Sequence, residues 1–183
     1  MCGIYLTNIP FAEEEVKIKL ESIQFRGPDF TGIQKIDDLT FGHLRLSILD
    51  LDVRSHQPMQ FEEFTIVFNG EIYNFQEIKK ELSDLGYIFN TTGDTEVLLK
   101  GYIEWGESIV PKLNGMFAFA IYNASTRKIF CSRDRLGVKP FYYSWKEGKF
   151  EIFGIKDKNT LTNFLWTVCN AKSLVMFPSR LIL

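Results

Sequence analysis

The spacing of apolar residues changes several times along the chain, and each change predicts an element. An apolar stretch over 2–7 reads as a short buried strand. Ala12, Val16, Leu20 and Ile23 fall on one helical stripe and predict a helix over 12–23. Gly27-Pro28-Asp29 marks a turn. Strands are expected over 32–36 and 39–46, and a third over 64–68, closed by Asn69-Gly70. Phe75, Ile78, Leu82 and Leu85 align on a helix over 75–85 that Gly86 stops. A further helix over 95–105 carries Val97, Leu98, Tyr102 and Trp105 on one side, with Asp94 placed to cap it. The run 116–122 is apolar at both alternating sets of positions, as in a strand covered on both faces. Strands over 128–132 and 140–145 follow. Many strands with few helices predict a layered α+β domain, a sheet-on-sheet core with helices outside.

The 183 residues suffice for one sizeable domain, and 17 Phe predict a core rich in rings. A net charge of −2 argues against a nucleic-acid or anionic-membrane partner. Cys2, Cys131 and Cys169 are odd in number and widely spaced, which fits neither a disulfide framework nor a metal site. A reducing cytoplasm suits them, and no secretory signal is expected. The tail over 161–183 is interrupted by Asn163, Asn170, Lys172, Pro178 and Arg180, a poor membrane span.

Position 2 carries the chemistry. Trimming of Met1 would leave Cys2 with a free α-amine, whose ordinary pKa of about 7.7–8.0 lets it serve as a base near neutrality. A thiol and its base would then share one residue, in a chain with only two histidines, His43 and His56. The competing account is a small buried cysteine, which is the role expected of Cys131 and Cys169.

Other residues have two readings each. Asn69-Gly70 can supply an amide donor and an unobstructed backbone N–H to an oxyanion, or simply form a turn. Arg45, between Leu44 and Leu46, can clamp a carboxylate with two parallel bonds or snorkel to the sheet edge. Asp94 and Glu71 can hold an ammonium, or serve as a helix cap and a surface charge. The runs Arg26-Gly27-Pro28-Asp29 and Arg133-Asp134-Arg135 read first as a turn with an ion pair and a salt-bridged loop.

The order of the pieces is informative: Met-Cys-Gly-Ile at the start, Arg-Gly-Pro-Asp at 26–29, His-Leu-Arg-Leu-Ser-Ile at 43–48 and Gln-Pro-Met at 57–59. Phe-Asn-Gly-Glu-Ile-Tyr-Asn at 68–74, Gly-Asp-Thr-Glu-Val at 93–97, Leu-Asn-Gly-Met-Phe-Ala at 113–118 and Arg-Asp-Arg-Leu-Gly-Val-Lys-Pro at 133–140 follow. Over residues 1–153 this resembles the N-terminal domain of glutamine-hydrolysing asparagine synthetases, a class II glutamine amidotransferase. The resemblance implies an N-terminal-nucleophile hydrolase fold, a four-layer αββα sandwich of two antiparallel sheets. It implies that Cys2 forms a glutamyl thioester, that Asn69 and Gly70 form the oxyanion hole, that Arg45 holds the glutamine carboxylate, and that Glu71 and Asp94 hold its amino end. Neither metal nor cofactor is expected for glutamine hydrolysis.

The synthetase half of that family, with its Ser-Gly-Gly-x-Asp-Ser pyrophosphate loop and its need for ATP and Mg, has no counterpart here. The expected partner besides glutamine is therefore a synthetase domain or separate chain, and a homodimer is left open. Residues 154–183 form an atypical tail, read as the mark of a truncated or frame-shifted gene, with Leu161, Phe164, Leu165, Val168 and Val175 on a helix face. The alternatives are a non-catalytic remnant or binding module, and the glutaminase half of an enzyme amidating a sugar or antibiotic precursor.

Overall fold

The computed structural model describes residues 2–154 throughout, and the backbone of 167–168, 173–177 and 180–182. The strands are β1 (Gly3–Thr7), β2 (Phe30–Ile36), β3 (Leu39–Arg45), β4 (Met59–Phe61), β5 (Phe64–Ile72), β6 (Gly115–Asn123), β7 (Lys128–Arg133), β8 (Tyr142–Lys146), β9 (Lys149–Phe153), β10 (Thr167–Val168), β11 (Ser173–Phe177) and β12 (Arg180–Ile182). The helices are α1 (Glu13–Glu21), α2 (Phe75–Asp84), α3 (Asp94–Trp105) and α4 (Ile109–Lys112). One sheet has the order β10-β8-β9-β1-β3-β2 and the other β12-β11-β7-β6-β5-β4. Every pairing among these strands is antiparallel.

Alternation along the strands builds the layers. Ile4, Leu6, Leu39 and Phe41 of the first sheet meet Val67, Ala118, Ala120, Tyr122, Ile129 and Cys131 of the second in a buried core between the sheets. The opposite face of the second sheet, with Ile66, Phe68, Phe117, Phe119 and Phe130, packs on α2 and α3 through Ile78, Leu82, Val97 and Leu98. The outer face of the first, with Tyr5, Leu44 and Phe153, receives Val16 and Leu20 of α1. The result is the expected αββα sandwich, with Cys131 buried in its middle layer as a structural thiol.

Two expectations need correction. Asn69-Gly70 does not end a strand: β5 runs on to Ile72, with Asn69 opposite Ala118 and Gly70 opposite Phe117. A Cβ on Gly70 would run into the Met116 carbonyl oxygen, and one on Gly115 into that of Glu71. The glycines let two backbones approach closely, which keeps the ladder intact where turn chemistry was the simpler reading. The tail helix is also corrected where the backbone is described. Val168 lies in β10, paired with β8, and Val175 in β11, paired with β7. Open sheet edges offer rows of unpaired backbone groups that suit β-branched residues. Leu161, Phe164 and Leu165 lie outside the described residues.

A buried ion pair fixes the start of α3. Lys100 (1% exposed) donates to Glu96 Oε1 at 2.7 Å and to the Ile88 carbonyl, and lies over the Phe61 and Phe89 rings. Glu96 in turn accepts from the Asn90 and Thr91 N–H groups and the Thr91 hydroxyl. Burial alone would raise the Glu96 carboxyl, but Lys100 and these donors outweigh it and hold it below its ordinary value. Lys100→Ala would leave that carboxylate buried without its cation, and is expected to cost about 3–5 kcal/mol in chemical denaturation. Glu96→Leu combined with Lys100→Met is expected to cost much less. A loss under about 1 kcal/mol for the single variant would contradict this account of the pair.

Candidate active site

The middle layer turns polar at one end. Along β3 the inward-facing row passes from Leu39 and Phe41 to His43 and Arg45, and along β5 from Val67 to Asn69. Gly3 pairs with Leu44, so one more step of the same register sets Cys2 across from Arg45. The start of α3 closes this end from the side, where the Asp94 carboxylate accepts the Ile72 N–H at 3.0 Å. Cys2, Arg45, Asn69, Gly70, Glu71 and Asp94 all line one cavity of about 130 Å³. All six residues singled out in the sequence thus meet in one place.

Cys2 Sγ accepts the Leu46 N–H at 3.4 Å and lies 3.8 Å from the Leu46 carbonyl oxygen. Burial pushes its thiol up, against the Leu46 bond and the charge of Arg45. The Arg45 guanidinium donates to the carbonyls of Asp50 and Asp52, the latter at 2.9 Å. Asp50 is in the left-handed region (φ 47°), and its carboxylate takes the Thr92 N–H at 2.6 Å. A guanidinium has five donors, so two such bonds orient Arg45 and leave donors for a ligand.

The edge of β5 explains the Asn-Gly pair. Strand β4 begins at Met59, opposite Ile66, so among the described residues β5 has no neighbouring strand on that side beyond Ile66. Backbone direction alternates along a strand, so the N–H groups of Phe68, Gly70 and Ile72 face this open edge. Phe68 N–H goes to Gln57 Oε1 at 2.6 Å, and Ile72 N–H to Asp94. The Gly70 N–H lies between them on the cavity. Beside it the Asn69 Nδ2 is buried without a partner among the described residues. A buried amide donor without an acceptor is costly, and a site that keeps one is built for an acceptor that arrives later.

Asp94 is not the N-cap. Gly93 takes that position and Asp94 is the first helical residue, its carboxylate turned to β5. Burial raises its pKa to about 6, against the bonds from Ile72, its own N–H and Thr95, with Glu71 adding to the rise. Arg26 makes no ion pair with Asp29, which instead accepts the Ser47 N–H at 2.7 Å. The Arg26 Nε and Nη2 are buried and have no partner among the described residues. The 133–140 loop is held by bonds to backbone: Asp134 takes the Val138 and Lys139 N–H groups, and Arg135 donates to Leu113 and Pro111. This places Lys139 on the cavity wall. Burial lowers both Arg26 and Lys139, and the nearby Cys2 charge pushes each back up. Lys139, Gln57, Thr91 and Thr95 line the cavity without having been assigned a role from sequence. Gln57, Thr95 and Lys139 stand in the ordered motifs of the sequence, the one signal that pointed to them.

The sandwich and the cysteine at the head of β1 define an N-terminal-nucleophile hydrolase fold. Residues 1–175 match the family model described as a glutamine amidotransferase domain, and the chain belongs to that family. It is 40% identical to "Asparagine synthetase [glutamine-hydrolyzing] 3" of Bacillus subtilis, over 89% of this chain and 28% of the relative. It is 45% identical to "Asparagine synthetase [glutamine-hydrolyzing] 1" of the same organism, over 79% of this chain and 24% of the relative. A putative asparagine synthetase of Methanocaldococcus jannaschii is 41% identical, over 88% of this chain and 35% of its own. The chain therefore spans only a quarter to a third of these relatives. Among solved structures, the glutamine phosphoribosylpyrophosphate amidotransferase of B. subtilis superposes with a TM-score of 0.85 at 17% identity, over 100% of this chain and 48% of that one, a likeness of fold. No helix among the described residues is long and apolar enough to cross a membrane.

Proposed function

We propose that this chain hydrolyses glutamine to glutamate and ammonia, with Cys2 as its N-terminal nucleophile. The convergence of Cys2, Arg45, Asn69, Gly70, Glu71 and Asp94 on one cavity is the observation that carries this reading. After Met1 is removed, the Cys2 α-amine accepts the thiol proton, and the sulfur attacks the carboxamide carbon of glutamine. The charge that develops on oxygen is met by Asn69 Nδ2–H and Gly70 N–H. Collapse breaks the C–N bond, the protonated amine returns its proton to the departing ammonia, and a γ-glutamyl thioester remains. Water, deprotonated by the same amine, hydrolyses the thioester to glutamate and frees the thiol. Arg45 binds the substrate carboxylate, and Glu71 and Asp94 its ammonium. None of these steps calls for a metal or cofactor.

The ammonia serves ATP- and Mg-dependent asparagine synthesis from aspartate, carried out by a synthetase domain or chain in the cytoplasm. The direct test is incubation of Met1-trimmed protein with glutamine, with glutamate measured and the N-terminus read by mass spectrometry. Trimmed, folded protein that releases no glutamate overturns the assignment.

The Asp94 role has a pH signature. Its carboxylate is ionised above about 6 and neutral below. KM for glutamine is therefore expected to rise as pH falls through about 6, and Asp94→Asn to raise KM and remove that acid limb. A KM that stays flat from pH 7 to 5 would contradict this role.

A further inference from the structure

We propose that Gln57 and His43 are positioning residues that hold the oxyanion edge of β5 in register with the start of α3. The inference rests on the glutaminase reading and extends it to two side chains that need not touch the reacting atoms. Beyond Ile66 the edge of β5 has lost β4, yet it carries the Gly70 N–H. Side chains take the place of the missing strand. The Phe68 N–H is held by Gln57 Oε1 at 2.6 Å, and the Phe68 carbonyl by His43 Nε2 at 3.2 Å. Gln57 then spans to α3, donating through Nε2 to the Thr95 hydroxyl at 3.3 Å, next to Asp94. Asp94 closes the frame on the Ile72 N–H. The Gly70 N–H is thus bracketed by two fixed neighbours, and both are tied to α3.

The supports are themselves rigid. His43 is fully buried between the sheets. Its Nε2 faces a carbonyl, which only accepts, so Nε2 bears the proton and the buried Nδ1, without a partner among the described residues, is left as an acceptor. Burial holds the ring neutral, with its pKa lowered to about 3, so the bond persists across the working pH range. His43 pairs in register with Gly32 on β2, and a Cβ on Gly32 would strike the Gln57 carbonyl oxygen. The absent side chain at position 32 is the seat of Gln57. Losing Gln57 or His43 leaves Asp94 its own bond to the Ile72 N–H, so it would change little in how strongly glutamine is held. It would change how well the donors meet the oxyanion, and small misplacements of that kind reduce turnover.

The test measures kcat and KM for glutamine with Met1-trimmed full chain. Thermal melts verify folding, and the rate of Cys2 alkylation by iodoacetamide reports the nucleophile. Gln57→Met and His43→Leu are each expected to lower kcat about tenfold, with KM within about threefold and alkylation unchanged. His43→Gln, whose amide can replace the Nε2 donor, and Gln57→Glu, which keeps the acceptor for Phe68, are expected to recover most of the loss. Should Gln57→Met fail to fold, Thr95→Val severs only the outer bond of Gln57 and is expected to lower kcat in the same sense. Variants with kcat within about twofold of the parent, or losses confined to KM, overturn the positioning role while the glutaminase reading stands. A parent chain without glutaminase activity overturns both.

Discussion

Cys2→Ala is expected to abolish glutamate release, with a fall of at least ~10⁴-fold in kcat, and to leave the melting temperature near that of the parent. The size of the effect follows from covalent chemistry: without the sulfur no thioester forms, and the remaining groups can only bind. The state of the thiol makes the prediction sharper. Burial pushes the Cys2 pKa up, so the thiol is protonated at neutral pH and needs a base to react. Neither histidine is suited to that task. His43 is buried, bonded to the Phe68 carbonyl and held neutral, and His56 is stacked on the Phe30 ring at 3.6 Å. In the proposed mechanism the base is the α-amine exposed by loss of Met1, which predicts that Met1-retaining protein is as inactive as Cys2→Ala. The same glutamate assay, run on trimmed and untrimmed protein separated by mass, checks both. Turnover by Cys2→Ala would remove Cys2 from the mechanism, and equal turnover by the two N-terminal forms would remove the α-amine as its base.

The layers could be read from the sequence because burial repeats. A strand that is apolar at both sets of alternating positions, such as 116–122, has to be covered twice, and the sheet-on-sheet core follows. The helices on residues 75–85 and 95–105 were legible from their stripes and agree with α2 and α3 to within a residue or so at their ends. The extent of β5 was hidden, because Asn-Gly carries the same letters whether it turns or lets another backbone pass. Only the position of Met116 and Phe117 decides between the two. The six candidate residues came from ordered motifs and chemical type. The frame behind them had no such reading: Gln57, Thr95 and His43 stand in the same motifs, but Gln57 and His43 act through the backbone of Phe68, and Thr95 through the Gln57 side chain. Hydrogen bonds of that kind leave no periodicity in a sequence. The short β4 belongs to the same problem: its three residues are too few to carry a period, yet where it starts is what opens the edge of β5.

Asn69→Ala is expected to lower kcat for glutamine by about 10²–10³-fold, with KM little changed and stability equal to or above that of the parent. The two halves of this prediction come from one atom. In the absence of substrate, Asn69 Nδ2 is buried with no acceptor among the described residues, a state that costs the fold about 1–3 kcal/mol. Alanine relieves that cost, offset by the small cavity it leaves. In the proposed reaction the same donor meets the oxyanion, a charge present at the transition state and absent from glutamine itself, so its loss is expected to reach kcat and spare binding. The companion donor is a backbone N–H that only proline would delete, and proline or any other side chain at position 70 would collide with β6. Asn69 is therefore the half of the proposed oxyanion hole that a side-chain truncation can isolate. Steady-state kinetics and a denaturant titration on the same preparation give both readings. Full activity in Asn69→Ala, or a loss seen only as a raised KM, would show that the orphaned amide is not aimed at the reacting oxygen.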